Sequence, residues 1–295
     1  MYNTKRSVFI RHSGSGRQAK NTRWSFRPGS LSRPAPHAYN EQNRYSPPYC
    51  AADTACTLIY ERVIMDIQGI QKMTLLDFPG RVACTVFLAG CDLCCPFCHN
   101  SELIGQCQAE TVMTDEELFS FLKKRRGLLD GVAVTGGEPL LRRDIDAFIG
   151  RIGDLGYQVK LDTNGNHPEA LRRVITGGNI QYIAMDVKNS RALYARTCGR
   201  EKMDLSPVLE SIALLKEGKT DYEFRTTVVN ELHNESSFED IGEMISGARR
   251  YFLQPFTDRD TVRFSGFSSP SKERMEKYLS IVSPSVHEAH IRGMD

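Results

Sequence analysis

The sequence predicts an α/β protein built as a partial (βα)6 TIM-like barrel behind a disordered N-terminal extension. Two observations predict the barrel. From residue 81 onward short apolar runs alternate with amphipathic segments, the pattern of repeated strand–helix units around a parallel sheet. Runs rich in Gly, Asp and Cys follow the apolar segments, at the positions where parallel α/β folds collect functional groups. A third observation predicts the extension: residues 1–64 carry Arg-Pro-Gly-Ser, Ser-Arg-Pro-Ala-Pro and Tyr-Ser-Pro-Pro-Tyr with little hydrophobic period. Burial there cannot offset the entropy of ordering the chain.

The extension is also where the charge is uneven. Residues 1–64 hold ten Lys and Arg against three Asp and Glu, whereas the remainder holds 28 against 33. An Arg-rich, acid-poor segment of this kind reads as an organelle transit peptide, as a basic arm, or as sequence upstream of a natural start at Met65. The last reading is preferred. It divides the chain into an extension, 1–64, and one core domain, 65–295.

Within the core domain, strands are expected at residues 82–88, 131–135, 158–162, 182–186, 223–229 and 251–254. Helices are expected between them: 114–124, opened by a capping box of Thr114 and Glu117, then 144–155, 168–175, 206–216 and 238–245. A last helix is expected at 271–281. Six such units are too few for a closed eight-stranded barrel, so an open form is expected.

Composition sets bounds. With 295 residues, 40% hydrophobic and 25% charged, the chain has material for a substantial core. No stretch approaches the roughly 18 apolar residues of a membrane span. A net charge of only +2 gives no general reason to expect nucleic acid as a partner. Four of the nine cysteines crowd into residues 91–98, where metal ligation is favoured over a secreted disulfide framework. A reducing cytoplasm fits that usage.

Cys91, Cys95 and Cys98 fall at intervals of four and three in Gly90-Cys-Asp-Leu-Cys-Cys-Pro-Phe-Cys-His-Asn100. A structural zinc site closes with four protein ligands, and an electron-carrying cluster ordinarily has four cysteines. Three cysteines suggest instead a [4Fe-4S] cluster whose fourth iron is free to bind a substrate or cosubstrate. Zinc held by three Cys and His99 is the competing reading, disfavoured because zinc ligands usually divide between two loops. A cluster on Cys91, Cys94 and Cys98 is a further alternative at the level of spacing alone.

The later strands end in Thr135-Gly-Gly-Glu-Pro139, Leu161-Asp-Thr-Asn-Gly165 and Met185-Asp-Val-Lys188, and a fifth carries Phe224-Arg-Thr-Thr227. Gly136 and Gly137 let backbone approach a ligand closely, and Glu138 is an acceptor for a ligand ammonium. Asp162 and Asp186 can share a cation or bind ribose hydroxyls, and Lys188 can hold a carboxylate. Taken singly, Gly-Gly-Glu-Pro and Asp-Thr-Asn-Gly are ordinary turns.

Over residues 65–255 the chain resembles the radical S-adenosylmethionine (SAM) glycyl-radical activating enzymes, most closely the anaerobic ribonucleoside-triphosphate reductase activating proteins. The resemblance is carried by Gln71-Lys-Met-Thr-Leu-Leu-Asp-Phe-Pro-Gly80, the cysteine loop continuing through Leu103, the run Leu128 to Pro139, and Tyr222-Glu-Phe-Arg-Thr-Thr227. It implies a barrel of the radical SAM type, with one [4Fe-4S] cluster on Cys91, Cys95 and Cys98 and SAM on the fourth iron. Phe97 would pack by the adenine, with Cys98 and His99 contributing contacts. Gly136, Gly137 and Glu138 would receive the SAM amino group, and Asp186 and Lys188 its ribose and carboxylate end. Asp162, Thr163 and Asp186 match positions that hold a monovalent cation in pyruvate formate-lyase activating enzymes.

The implied chemistry is reductive cleavage of SAM to methionine and a 5′-deoxyadenosyl radical, which takes a hydrogen from a glycine of a partner enzyme, the anaerobic ribonucleotide reductase. Such a cluster needs a potential toward the negative end of the roughly −700 to +450 mV range, hence a flavodoxin or ferredoxin donor and anaerobic conditions. Related activases often place a His after the last barrel strand, where this chain has Thr257. Family register favours Cys95 over Cys94, which reads as a spectator thiol. Radical SAM chemistry on a small molecule or peptide, and a non-catalytic zinc or electron-transfer module, are the alternatives.

Overall fold

The computed structural model describes residues 67–104 and 112–294. The extension at 1–64, Met65 and the cysteines at 50, 56 and 107 lie outside the described residues.

Eight strands form one sheet in sequence order: β1 (Ile67–Thr74), β2 (Ala83–Leu88), β3 (Gly131–Gly136), β4 (Gln158–Thr163), β5 (Tyr182–Asp186), β6 (Asp221–Val228), β7 (Arg250–Pro255) and β8 (Glu288–Ile291). β1 is antiparallel to β2, and every later pairing is parallel. β2 to β7 are the six expected barrel strands. β2 is buried along its whole length, as its apolar run Ala-Cys-Thr-Val-Phe-Leu requires of a parallel strand covered on both faces.

The crossover helices are α1 (Asp115–Lys124), α2 (Ile145–Asp154), α3 (Pro168–Thr176), α4 (Tyr194–Thr197), α5 (Ser206–Lys216), α6 (Glu235–Met244) and α7 (Lys272–Val282). α1 opens with the expected capping box, Thr114 Oγ1 accepting from Glu117 N while Glu117 Oε2 accepts from Thr114 N. α6 starts three residues before the expected 238, because Asn234 accepts from the Ser237 amide and forms a second capping box. Leu118, Leu122, Phe148, Ile152, Leu171, Val174, Ile212, Phe238, Ile241 and Tyr278 bury the inner helix faces in one continuous core.

Two strands escape sequence patterning. β1 (Ile-Gln-Gly-Ile-Gln-Lys-Met-Thr) and β8 (Glu-Ala-His-Ile) lie at the sheet edges, where one-sided exposure permits polar residues and removes the continuous apolar run. At the amino end of the sheet Phe78, Ala83, Tyr182 and Ala184 form a small separate cluster. Side chains alternate along a strand, so Asp186 shares the inward face of Tyr182 and Ala184. Register aligns the opposite end: Leu88 with Gly136, Val134 with Leu161, Thr163 with Met185, and Asp186 with Arg225. The motifs that end these strands therefore share one rim. Among the described residues no helix is long and apolar enough to cross a membrane.

Candidate functional site

The cysteine loop leaves β2 at Leu88 and is fixed by backbone bonds at both ends. Gly90 N–H donates to Leu103 O (2.9 Å) and Cys98 N–H to Cys95 O (3.1 Å), while Leu93 N–H donates to Cys91 Sγ (3.4 Å). Cys91, Cys95 and Cys98 form no disulfide, Cys95 being buried and the other two half-buried. Contact with the Cys198 thiol holds Cys95 below the ordinary thiol range against the opposing effect of burial. Burial instead pushes Cys98 up to about 11 and raises Cys91 further.

Phe97 and His99 both pack against Phe256. Phe97 is buried and edge-on to Phe256 at 6.5 Å. His99 stacks on Phe256 at 5.5 Å and its Nε2 meets Thr257 O at 2.7 Å. The place after β7 where a His was missing is thus reached by the imidazole of the cysteine loop. Ser101 Oγ donates to Thr261 O (2.6 Å), a second tie between these loops.

The Gly-Gly-Glu run packs against the cysteine loop. Gly137 N–H donates to Leu88 O (2.9 Å) and Glu138 N–H to Gly90 O (2.8 Å), while Gly136 O accepts from Asn100 Nδ2 (3.2 Å). A Cβ on Gly137 would stand 1.8 Å from Gly90 O. The close backbone approach is made to the cysteine loop. Glu138 is fully buried and accepts from Leu140 N (3.0 Å), Thr163 Oγ1 (2.8 Å) and Asn164 N (2.6 Å). These bonds use about three of the four acceptor positions of a carboxylate, so Glu138 braces β3 against β4. Burial pushes its carboxyl up to about 7.

The carboxylates at the ends of β4 and β5 are bridged by Arg225 of β6. Its guanidinium bonds Asp186 and reaches Asp162 at 3.3 Å; Lys160 pairs with Asp162, and Lys188 Nζ with Asp186 Oδ2 at 2.8 Å. Burial opposes ionisation of Asp186, but Arg225 and Lys188 hold its carboxyl well below the usual range. Thr163 turns away toward Glu138. The Arg225 guanidinium thus lies between the two carboxylates, Asp162 and Asp186. Arg225 and Lys188 keep donors beyond these bonds, since a guanidinium carries five and an ammonium three.

Sequence reasoning missed Asp92. Its carboxylate accepts from Asn164 Nδ2 (2.9 Å) and Asn166 Nδ2 (2.5 Å) and meets His167 Nε2 at 3.2 Å, tying the cysteine loop to the turn after β4. Burial works against its charge, yet these partners hold it at about 2. An acidic residue between two cysteines was the only signal available. Cys94, read as a spectator thiol, is disulfide-bonded and so is not a free alternative to Cys95.

The donor set can be tested against the group the resemblance implies. Among the described residues no three His, Cys, Asp or Glu side chains converge to hold a single ion, and His99 is engaged at Thr257. That arrangement is not a closed zinc site. Three soft thiols on one short loop, with two of them half-exposed, fit a cluster in which each binds a different iron.

The profile of the Radical SAM superfamily matches residues 85–245, more than half of the chain. A protein of Methanocaldococcus jannaschii, named as a candidate glycyl-radical enzyme activating enzyme, is 29% identical over 235 residues, covering 78% of this chain and 96% of its own. A 7-carboxy-7-deazaguanine synthase of Bacteroides thetaiotaomicron is 38% identical over 89 residues, 30% of this chain and 44% of that one. Among solved structures, TYW1 with a bound lysine-pyruvate adduct aligns with a TM-score of 0.52 at 18% identity, over 70% of this chain and 73% of that chain, a likeness of fold.

Proposed function

The chain belongs to the Radical SAM superfamily, and we propose that it is an activase that generates a glycyl radical on a partner enzyme, the anaerobic ribonucleoside-triphosphate reductase. The observation that carries this reading is the rim arrangement: three cysteines outside any disulfide on one loop, seated against the end of β3 and beside the bridged carboxylates of β4 and β5. The glycyl-radical assignment is supported by the relative that spans nearly its whole length with this chain. The reductase as partner is supported by the runs through Gly80 and Tyr222 to Thr227. Residues 65–295 are the core domain in this reading.

In the proposed mechanism Cys91, Cys95 and Cys98 would hold a [4Fe-4S] cluster, leaving an iron open to SAM. When bound, cluster and SAM supply reductive cleavage of the sulfonium, with the electron coming from a flavodoxin or ferredoxin. The chain's own residues prepare that step. Gly137 and Glu138 fix the loop through Leu88 O and Gly90 O, so the thiols stay in register. Lys188 and Arg225 offer their remaining donors to the SAM carboxylate, a charge-assisted contact at the rim. Phe97 and Phe256, both buried, pack edge-on against each other beside the loop.

Incubating reduced protein with SAM and an anaerobic ribonucleotide reductase tests the reading. A glycyl-radical doublet in the reductase is the expected result. SAM cleavage without any doublet would favour the second reading, action on a small molecule, which the deazaguanine synthase relative supports.

A further inference from the structure

The backbone just past the end of β5 is gripped by β6 and the turn that follows it. Thr226 Oγ1 donates to Val187 O (2.6 Å), and Val187 N–H donates to Arg225 O (2.9 Å). Asn189, fully buried, donates from Nδ2 to Leu232 O (2.8 Å) and to Thr197 Oγ1 (2.8 Å), while its Oδ1 accepts from Ser190 N (2.7 Å). Between them the backbone oxygen of Lys188 meets His233 Nε2 at 2.9 Å. His233 is buried, with its ring 5.9 Å from that of Phe238, which stacks on Tyr278; Tyr278 Oη in turn donates to His233 O (3.1 Å). The other ring nitrogen fixes the tautomer. Val229 N–H donates to His233 Nδ1 (3.0 Å), so Nδ1 carries the lone pair and Nε2 the proton. Val229 O, 3.1 Å from Nδ1, already accepts from Leu232 N–H and His233 N–H and needs no third donor. Burial holds the imidazole below its ordinary range, in keeping with this neutral form.

We propose that His233 is a positioning residue: its Nε2–H holds the Lys188 backbone so that the Lys188 ammonium meets the SAM carboxylate at the rim. The inference rests on the contact proposed above between Lys188 and that carboxylate. His233 fixes the carbonyl of the residue from which the side chain departs, and Asp186 Oδ2 holds the far end, Nζ, at 2.8 Å. With both ends tied, the four-carbon stem is ordered before any anion arrives, and little further ordering is required when one binds. Loss of the Nε2–H leaves Lys188 O without this donor and frees the segment between Val187 and Asn189 to turn. A histidine that merely filled the core would also stabilise the fold, but its removal would act on SAM equally whether or not an ammonium stood at residue 188.

The test is a double-mutant cycle on the full chain reconstituted anaerobically, with SAM affinity read from the SAM-dependent change of the reduced-cluster electron paramagnetic resonance signal. The variants are Lys188→Met, His233→Ala, His233→Gln, and Lys188→Met combined with His233→Ala. Lys188→Met should bind SAM at least about tenfold more weakly. His233→Ala should bind it about tenfold more weakly, and His233→Gln, whose amide N–H can still donate to Lys188 O, should recover most of that loss. In the Lys188→Met background His233→Ala should change SAM affinity no further. Losses that add in the double variant, an unchanged affinity in His233→Ala, or equal losses in Ala and Gln overturn the role of His233 alone. Should His233→Ala assemble no cluster, His233→Asn takes its place in the cycle, its amide matching the Nδ1 position and falling short of Lys188 O. Wild-type affinity in Lys188→Met overturns the underlying contact of Lys188 with SAM instead.

Discussion

Gly137 packs its backbone against Gly90 so tightly that a Cβ at 137 would lie 1.8 Å from the Gly90 carbonyl oxygen. The neighbouring atom is backbone at the entry to the cysteine loop and cannot swing aside. Gly137→Ala must therefore push the loop away from β3. We expect about 3 kcal/mol of destabilisation, read by chemical denaturation, and reduced iron content after reconstitution. Wild-type stability and iron in this variant would show that the loop is not set by this contact.

Arg225 replaces the ion that two facing carboxylates would otherwise invite. Wild-type protein should bind SAM equally well in sodium, potassium or tetramethylammonium salts. Arg225→Met removes the shared cation from the half-buried Asp162 and Asp186 and should destabilise the fold, Lys160 and Lys188 remaining as partners. Potassium should partly restore stability to that variant. A cation requirement in the wild type would contradict the arrangement.

Glu138 makes stability depend on pH. Its carboxyl titrates near 7 in the folded chain, against an ordinary value of 4.5, chiefly through burial. Between those values the folded state keeps a proton that the unfolded state has released. Stability is thus fully present below pH 4.5 and falls as pH rises through 7, by on the order of 3 kcal/mol. Glu138→Gln carries no such charge, so the difference in unfolding free energy between variant and wild type should shift in the variant's favour from pH 5 to pH 8. A difference that stays flat with pH would refute the buried ionisation.

Cys94 and Cys95 are neighbours with opposite expected roles. Cys95→Ser should abolish cluster assembly, whereas Cys94→Ser, which removes a disulfide-bonded residue, should largely spare it. Iron and sulfide content, with the absorbance of the reconstituted proteins, reads the contrast. The reverse pattern would move the middle ligand to Cys94.

The legible part of this protein is the part where local sequence and tertiary role coincide. β2 announces itself because a strand buried on both faces must be apolar throughout. The cysteine loop is legible because its thiols are close in sequence. β1 and β8 are hidden by their edge positions, which relax that demand. Arg225 acquires its partners through the register that sets it opposite Asp186, and Asp92 and Cys198 acquire theirs through loop packing. Gly137, Glu138 and Phe97 stand out in the sequence by their motifs, while their contacts with Gly90, Thr163, Asn164 and Phe256 follow from tertiary packing. Motif spacing carries no information about which side of a residue faces a neighbouring loop.

The central claim is that the loop of Cys91, Cys95 and Cys98 holds a cluster with one iron left for SAM. Electron paramagnetic resonance of the anaerobically reconstituted, reduced protein, recorded with and without SAM, tests it directly. The account predicts a [4Fe-4S] signal whose shape changes when SAM is added. A signal that SAM leaves unaltered, or a protein that takes up zinc and assembles no cluster, would contradict it.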